Sequence, residues 1–197
     1  MKPIYFKLKR VEKEKNEELD HSKFLGAPVF PERFLDKHGI GENDYFLLQM
    51  NLEELKDKDT LLPKEGFLYF FIDVDTYEAK VFHTTEELKE VYDDINEGFD
   101  EEDFGDTKAQ YMYFDDELKE GHYILGDIEE DLDLEAYTDT EGYVTLLSVD
   151  SLELDPKHPI WRFASIALLD GWYLFLIKEE DLKKGDFSHV KFVDFGS

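Results

Sequence analysis

Six consecutive apolar residues, Phe67 to Ile72, stand between Gly66 and Asp73. The run is too short for a buried helix and rich in aromatic side chains, so it reads as a strand covered on both faces. A second such run, Trp172 to Ile177, follows Asp170-Gly171, and the apolar stretch Phe163 to Leu169 precedes that pair. A two-residue Asp-Gly link between apolar runs predicts a hairpin, because a type I′ turn needs positive φ at both central positions. Glu65-Gly66 is a weaker form of the same signal.

The two runs belong to an ordered repeat. Phe24-Leu25-Gly26 matches Ile124-Leu125-Gly126 at an offset of 100 residues. Leu47 to Asn51 matches Leu146 to Asp150 at 99, and Gly66 to Ile72 matches Gly171 to Ile177 at 105. A period this long is not that of a solenoid or propeller. The expected class is therefore α+β: β-rich, mainly antiparallel, internally duplicated, with a few short helices on the sheets. One compact domain over 1–197 is expected, built of halves at about 22–98 and 122–195 joined by an acidic segment, 98–121.

Smaller signals fill in the order. Ile4, Phe6 and Leu8 alternate with polar neighbours, as in a strand, and Glu12 to Asp20 reads as a short exposed helix or a link. Asn51 with Glu54 predicts a capping box. Strands are expected at Phe46 to Met50, Phe67 to Val74, Tyr77 to His83, Gln110 to Phe114 and Val190 to Phe195. Leu88, Val91, Tyr92 and Ile95 fall at i, i+3, i+4 and i+7 after Thr84 or Thr85, which predicts an amphipathic helix lying on the sheet. Glu179 to Lys184 reads as a helical turn stopped by Gly185.

The stretches Leu25 to Pro28, Leu47 to Leu55 and Leu61 to Asp73, with Asp170 to Ile177, Glu180-Asp181-Leu182 and Asp186-Phe187-Ser188 in order, resemble the YwqG-like bacterial family. The likeness spans roughly 22–195. It departs at Gly26-Ala27-Pro28, where the family usually shows two glycines before the proline. What the resemblance implies is a duplicated β-rich fold with no settled activity. Its members are similar to proteins found near toxin and immunity genes, which implies a protective binding role.

Lys and Arg number 22 against 49 Asp and Glu, a net charge of −27. This field repels phosphates and anionic lipid surfaces, so no nucleic-acid or membrane partner is expected. It favours basic partners and speeds encounter with them. The chain has no cysteine, which excludes disulfides, thiol nucleophiles and Cys-ligated metal. The first twenty residues hold no apolar h-region, and a cytoplasmic location is expected.

No catalytic motif stands out, so an enzyme is not favoured, and neither a catalytic residue, a cofactor nor a metal site is assigned. The six histidines show no ligand spacing, and His83 near Glu86 reads as a surface or capping residue. Two acidic stretches interleaved with apolar residues suit an interface with a basic protein. They are Asp100, Glu101, Glu102, Asp103 and Asp106, and then Glu129, Glu130, Asp131 and Asp133. An immunity protein or inhibitor of a basic toxin or nuclease would look like this. The rival expectation is a small-molecule or enzymatic site between the halves, lined by Gln49, Tyr69 and Trp172.

Overall fold

The computed structural model describes residues 1–15, 18–55, 60–99, 108–115, 117–118, 120–128, 139–150, 154, 160 and 171–196. Within them runs one long antiparallel sheet. Its strands are β1 (Ile4–Arg10), β2 (Lys23–Phe24), β4 (Asp44–Asn51), β5 (Phe67–Asp73), β6 (Ala79–Thr84), β8 (Gln110–Phe114), β9 (Tyr123–Gly126), β10 (Tyr143–Asp150), β11 (Gly171–Lys178) and β12 (Lys191–Gly196). Their order is β12-β11-β10-β9-β1-β8-β2-β4-β5-β6. A second sheet pairs β3 (Val29–Pro31) with β7 (Leu88–Val91). The α-helices of the described residues are α1 (Phe34–His38) and α2 (Glu179–Lys184). None is long and apolar enough to cross a membrane.

This architecture corrects the α+β, internally duplicated class. The stretches expected as two related halves of one domain contribute adjoining strands to one sheet. Between β2 and β9 stand β1, from the N-terminus, and β8, which lies inside the segment expected to join the halves. The sheet curls into a nearly closed barrel, and its inner side chains form one cluster that includes Phe6, Leu48, Phe70, Leu147 and Phe175. Burying each such side chain contributes about 1.5–3 kcal/mol, which is the main force holding the barrel together.

The helix expected over Thr84 to Ile95 is also corrected. Thr84 Oγ1 accepts from the Glu86 backbone N–H at 3.1 Å, but an extended segment follows instead of a helix. Val91 pairs with Val29, and Glu90 with Phe30. The i, i+3 spacing of Leu88 and Val91 fits either structure. The backbone of Val29–Pro31 requires a hydrogen-bonding partner, and that requirement decides it.

Other local expectations hold in part. Asn51 caps the short 3₁₀ turn Leu52–Glu54 by accepting from Glu53 N at 3.0 Å. Glu54 does not close a capping box. Its carboxylate accepts from Ser22 N at 3.0 Å and lies 2.6 Å from His21 Nδ1. Helix α2 ends at Gly185 in the left-handed region, as the sequence predicts. Phe163 to Asp170, the first arm and turn of the expected hairpin, lie outside the described residues.

Two buried leucines, Leu25 and Leu125, take φ of 57° and 56° at the ends of β2 and β9. A left-handed non-glycine residue costs about 1–2 kcal/mol. Complete burial of the leucine side chain offsets a cost of that size.

Candidate functional site

Just past the end of β2, beside the end of β1 and the start of β8, a cleft of about 350 Å³ opens. Three walls build it: Val11–Glu14 after β1, the turn Gly26-Ala27, and the segment Asp93–Phe99 after β7, with Lys108-Ala109 closing one end.

The first wall is fixed by a buried ion pair. Lys23 is fully enclosed, and its ammonium donates to Glu14, to Leu19 O at 2.9 Å and to Ala27 O at 2.7 Å. Three acceptors match its three protons, so the charge is satisfied although buried. Burial pushes the Lys23 ammonium down from its usual value, and the Glu14 carboxylate works against that. The other Glu14 oxygen accepts from Ala27 N at 2.7 Å. Gly26, at φ +73°, sits beneath: a Cβ there would come within 2.5 Å of Glu14 Oε2 and 2.6 Å of Ala109 Cβ. Only glycine permits this approach.

The third wall is held by Asn96. β4 bulges between Phe46 and Leu48 opposite β5, and a bulge leaves ladder groups unpaired. Asn96 supplies both partners, accepting from Phe46 N at 3.0 Å and donating to Phe46 O at 2.9 Å. Phe99 packs edge-on against Tyr45 at 5.0 Å.

Val11, Ala27, Ile95, Phe99 and Ala109 give the cleft an apolar lining, and the carboxylates Glu12, Glu14, Asp93 and Glu97 share its edge with Lys13 and Lys108. Lys108 Nζ lies 2.8 Å from Glu12, which holds that carboxyl below its ordinary value. Glu14 is held by Lys23. Asp93 and Glu97, both exposed, have no cation partner among the described residues. An apolar lining beside unneutralised carboxylates suits an alkyl stem ending in a cation, as in lysine or arginine. No cluster among the described residues could hold a metal ion.

The residues named from sequence fall elsewhere or outside view. Asp100, Glu101, Glu102, Asp103, Asp106, Glu129, Glu130, Asp131 and Asp133 all lie outside the described residues. Gln49 and Tyr69 are brought together, directly opposite on β4 and β5. Both are fully buried and bonded to backbone. Gln49 accepts from Val29 N at 2.8 Å and donates to Leu19 O and His21 O at 3.0 and 3.1 Å. Tyr69 donates to Val29 O at 2.6 Å, and burial raises its hydroxyl pKa. They anchor β3 to the barrel. Trp172 is not with them; it packs with Leu174 and Leu176 on β11.

Residues 22–116 match the model of a domain of unknown function, DUF1963. The DUF1963-matched stretch runs from β2 through β8. It contains two of the three walls and Lys108-Ala109, while Val11–Glu14 comes from outside it. No curated protein matches the chain.

Proposed function

We propose that the chain is a soluble, cytoplasmic, non-enzymatic binding module that takes a basic segment of another protein into this cleft. Its role is that of an immunity protein or inhibitor against a basic toxin or nuclease. The observation that carries the reading is the pair of exposed carboxylates, Asp93 and Glu97, without a cation partner among the described residues, beside an apolar lining. Asp100, Glu101, Glu102, Asp103 and Asp106 lie in sequence between Phe99 and Lys108, two residues that line the cleft. Their charge adds to the attraction and speeds encounter. The resemblance to the YwqG-like bacterial family supports the same protective role.

The test is capture of a basic partner from the source lysate at low salt, with elution by rising salt. Asp93→Asn with Glu97→Gln is compared with Glu141→Gln and Glu180→Gln, an equal charge change beside β10 and on α2. A partner lost only by the cleft variant supports the reading. Equal loss in both variants shows a general effect of net charge, and retention in both removes the cleft from the interaction.

A further inference from the structure

Acidic residues outnumber Lys and Arg by 49 to 22, so an exposed lysine is expected to find a carboxylate. Lys37, Lys108 and Lys183 all do so. Among the described residues Lys2, Lys7, Lys9 and Lys13 do not, and of these Lys7 and Lys9 share one strand. Both are exposed on β1, and neither makes an ion pair among the described residues.

Ile4, Phe6 and Leu8 point into the barrel, so Tyr5, Lys7 and Lys9 share the outer face of β1. Opposite Lys7 and Lys9 on β8 stand Tyr113 and Tyr111. Tyr113 is 49% exposed, and Lys9 Nζ lies 6.0 Å from its ring centre. Further along the face, Tyr5 meets Tyr123 edge-on at 5.8 Å, and both border a groove of about 300 Å³. On this face Lys7, Lys9 and Tyr113 are exposed, whereas Tyr5 is half-buried and Tyr111 and Tyr123 are buried.

We propose that this face docks an extended acidic peptide whose carboxylates occupy alternate positions, with an apolar or aromatic side chain over Tyr113. In an extended chain, residues two apart lie about 7 Å from each other on one side. Lys7 and Lys9 have that same spacing, so a peptide running along β1 brings one carboxylate to each lysine. Tyr113 supplies a broad apolar surface at low entropic cost. At about 0.15 M salt the Debye length is about 8 Å, so acids beyond that distance are largely screened from a docked peptide, while Glu14, Glu18 and Asp20, which act on Tyr111, border the Lys9 end of the face. A nucleic acid carries a phosphate at every nucleotide, and two lysines neutralise few of them within a field of −27. The site takes the opposite charge to the Asp93–Glu97 cleft and stands independently of it.

The test uses a labelled peptide with aspartates at alternate positions around a tyrosine, its asparagine counterpart, and a single-stranded oligonucleotide. Binding is read by fluorescence anisotropy at about 0.15 M salt. The aspartate peptide is expected to bind, and the asparagine peptide at least about tenfold more weakly. Lys7→Gln with Lys9→Gln is expected to cost about tenfold or more and Tyr113→Ser several-fold, with unchanged melting temperatures. Lys7→Arg with Lys9→Arg and the cleft variant Asp93→Asn with Glu97→Gln are expected to retain binding. Absence of binding, equal binding of both peptides, or binding undiminished by the glutamine variant overturns the proposal. Tighter, Lys7- and Lys9-dependent binding of the oligonucleotide overturns it in favour of nucleic acid.

Discussion

The rings of Phe70 and Phe175 lie 5.3 Å apart and nearly perpendicular, at 87°. Phe70 is on β5 and Phe175 on β11, and six strands separate those two in the sheet order. Their contact spans the interior and shows how far the sheet has curled. Near the seam His83, on edge strand β6, lies 6.1 Å from Phe187, in the turn between α2 and β12.

This aromatic pair is one of the contacts that join the two sides of the barrel. Phe70→Ala or Phe175→Ala is expected to destabilise by about 3–5 kcal/mol. The pair should also couple, with an edge-to-face interaction of about 0.5–1.5 kcal/mol. A double-mutant cycle by urea denaturation measures it, and strict additivity would show that the rings pack independently.

Lys23 is expected to matter for its protons rather than its volume. Lys23→Met keeps most of the length of the side chain but leaves Glu14 and the carbonyls of Leu19 and Ala27 without their donor. Breaking one side of a buried pair costs about 3–5 kcal/mol. Adding Glu14→Gln should recover part of the loss, because the uncompensated charge is then gone. Urea titration of the single and double variants checks this, and a stable Lys23→Met would show that the pair is dispensable.

Much of the fold was legible because strand signals are local. The run Phe67 to Ile72, the alternation at Ile4 to Leu8 and the stop at Gly185 each depend on nearby residues alone. The helix expected at Leu88 to Ile95 failed because its spacing suited two structures and a distant strand, β3, decided between them. Val91, placed on an apolar stripe by that reading, is 50% exposed. The cleft was not legible, since its walls come from four separated stretches joined by polar contacts without periodicity. Gln49 and Tyr69 resembled ligand-binding groups because a buried amide and a hydroxyl look alike in sequence whether they hold a ligand or a backbone. One signal was available: a lysine between Ser22 and Phe24, where a strand enters the core, requires a buried acid.

Gly26→Ala is expected to disturb the cleft at its base. The substitution places a Cβ against Glu14 and Ala109 at φ +73°. Left-handed strain and overpacking together suggest a loss of about 2–4 kcal/mol. Gly39 is also left-handed, at φ 65°, but a Cβ added there would meet nothing within 4 Å, so Gly39→Ala isolates the strain alone. Thermal unfolding of the two variants should place Gly26→Ala clearly lower, and equal losses would show that the packing against Glu14 and Ala109 is loose.

His122 gives the fold a defined acid sensitivity. It is buried against Phe6, at 5.3 Å between rings, and its Nδ1 accepts from Asp150 N at 2.9 Å. Burial pushes its pKa down to about 4, against about 6.5 in an unfolded chain. The folded state therefore keeps the ring neutral while the unfolded state takes up a proton below about pH 6.5. The contribution of neutral His122 is complete above that value and is lost as pH falls from about 6.5 to about 4, amounting to about 3 kcal/mol. His122→Asn retains an acceptor for Asp150 N but does not titrate. Urea unfolding of both proteins between those pH values should show the wild type losing stability more steeply than the variant. Parallel profiles would mean that His122 takes up its proton in the folded barrel as readily as in the unfolded chain.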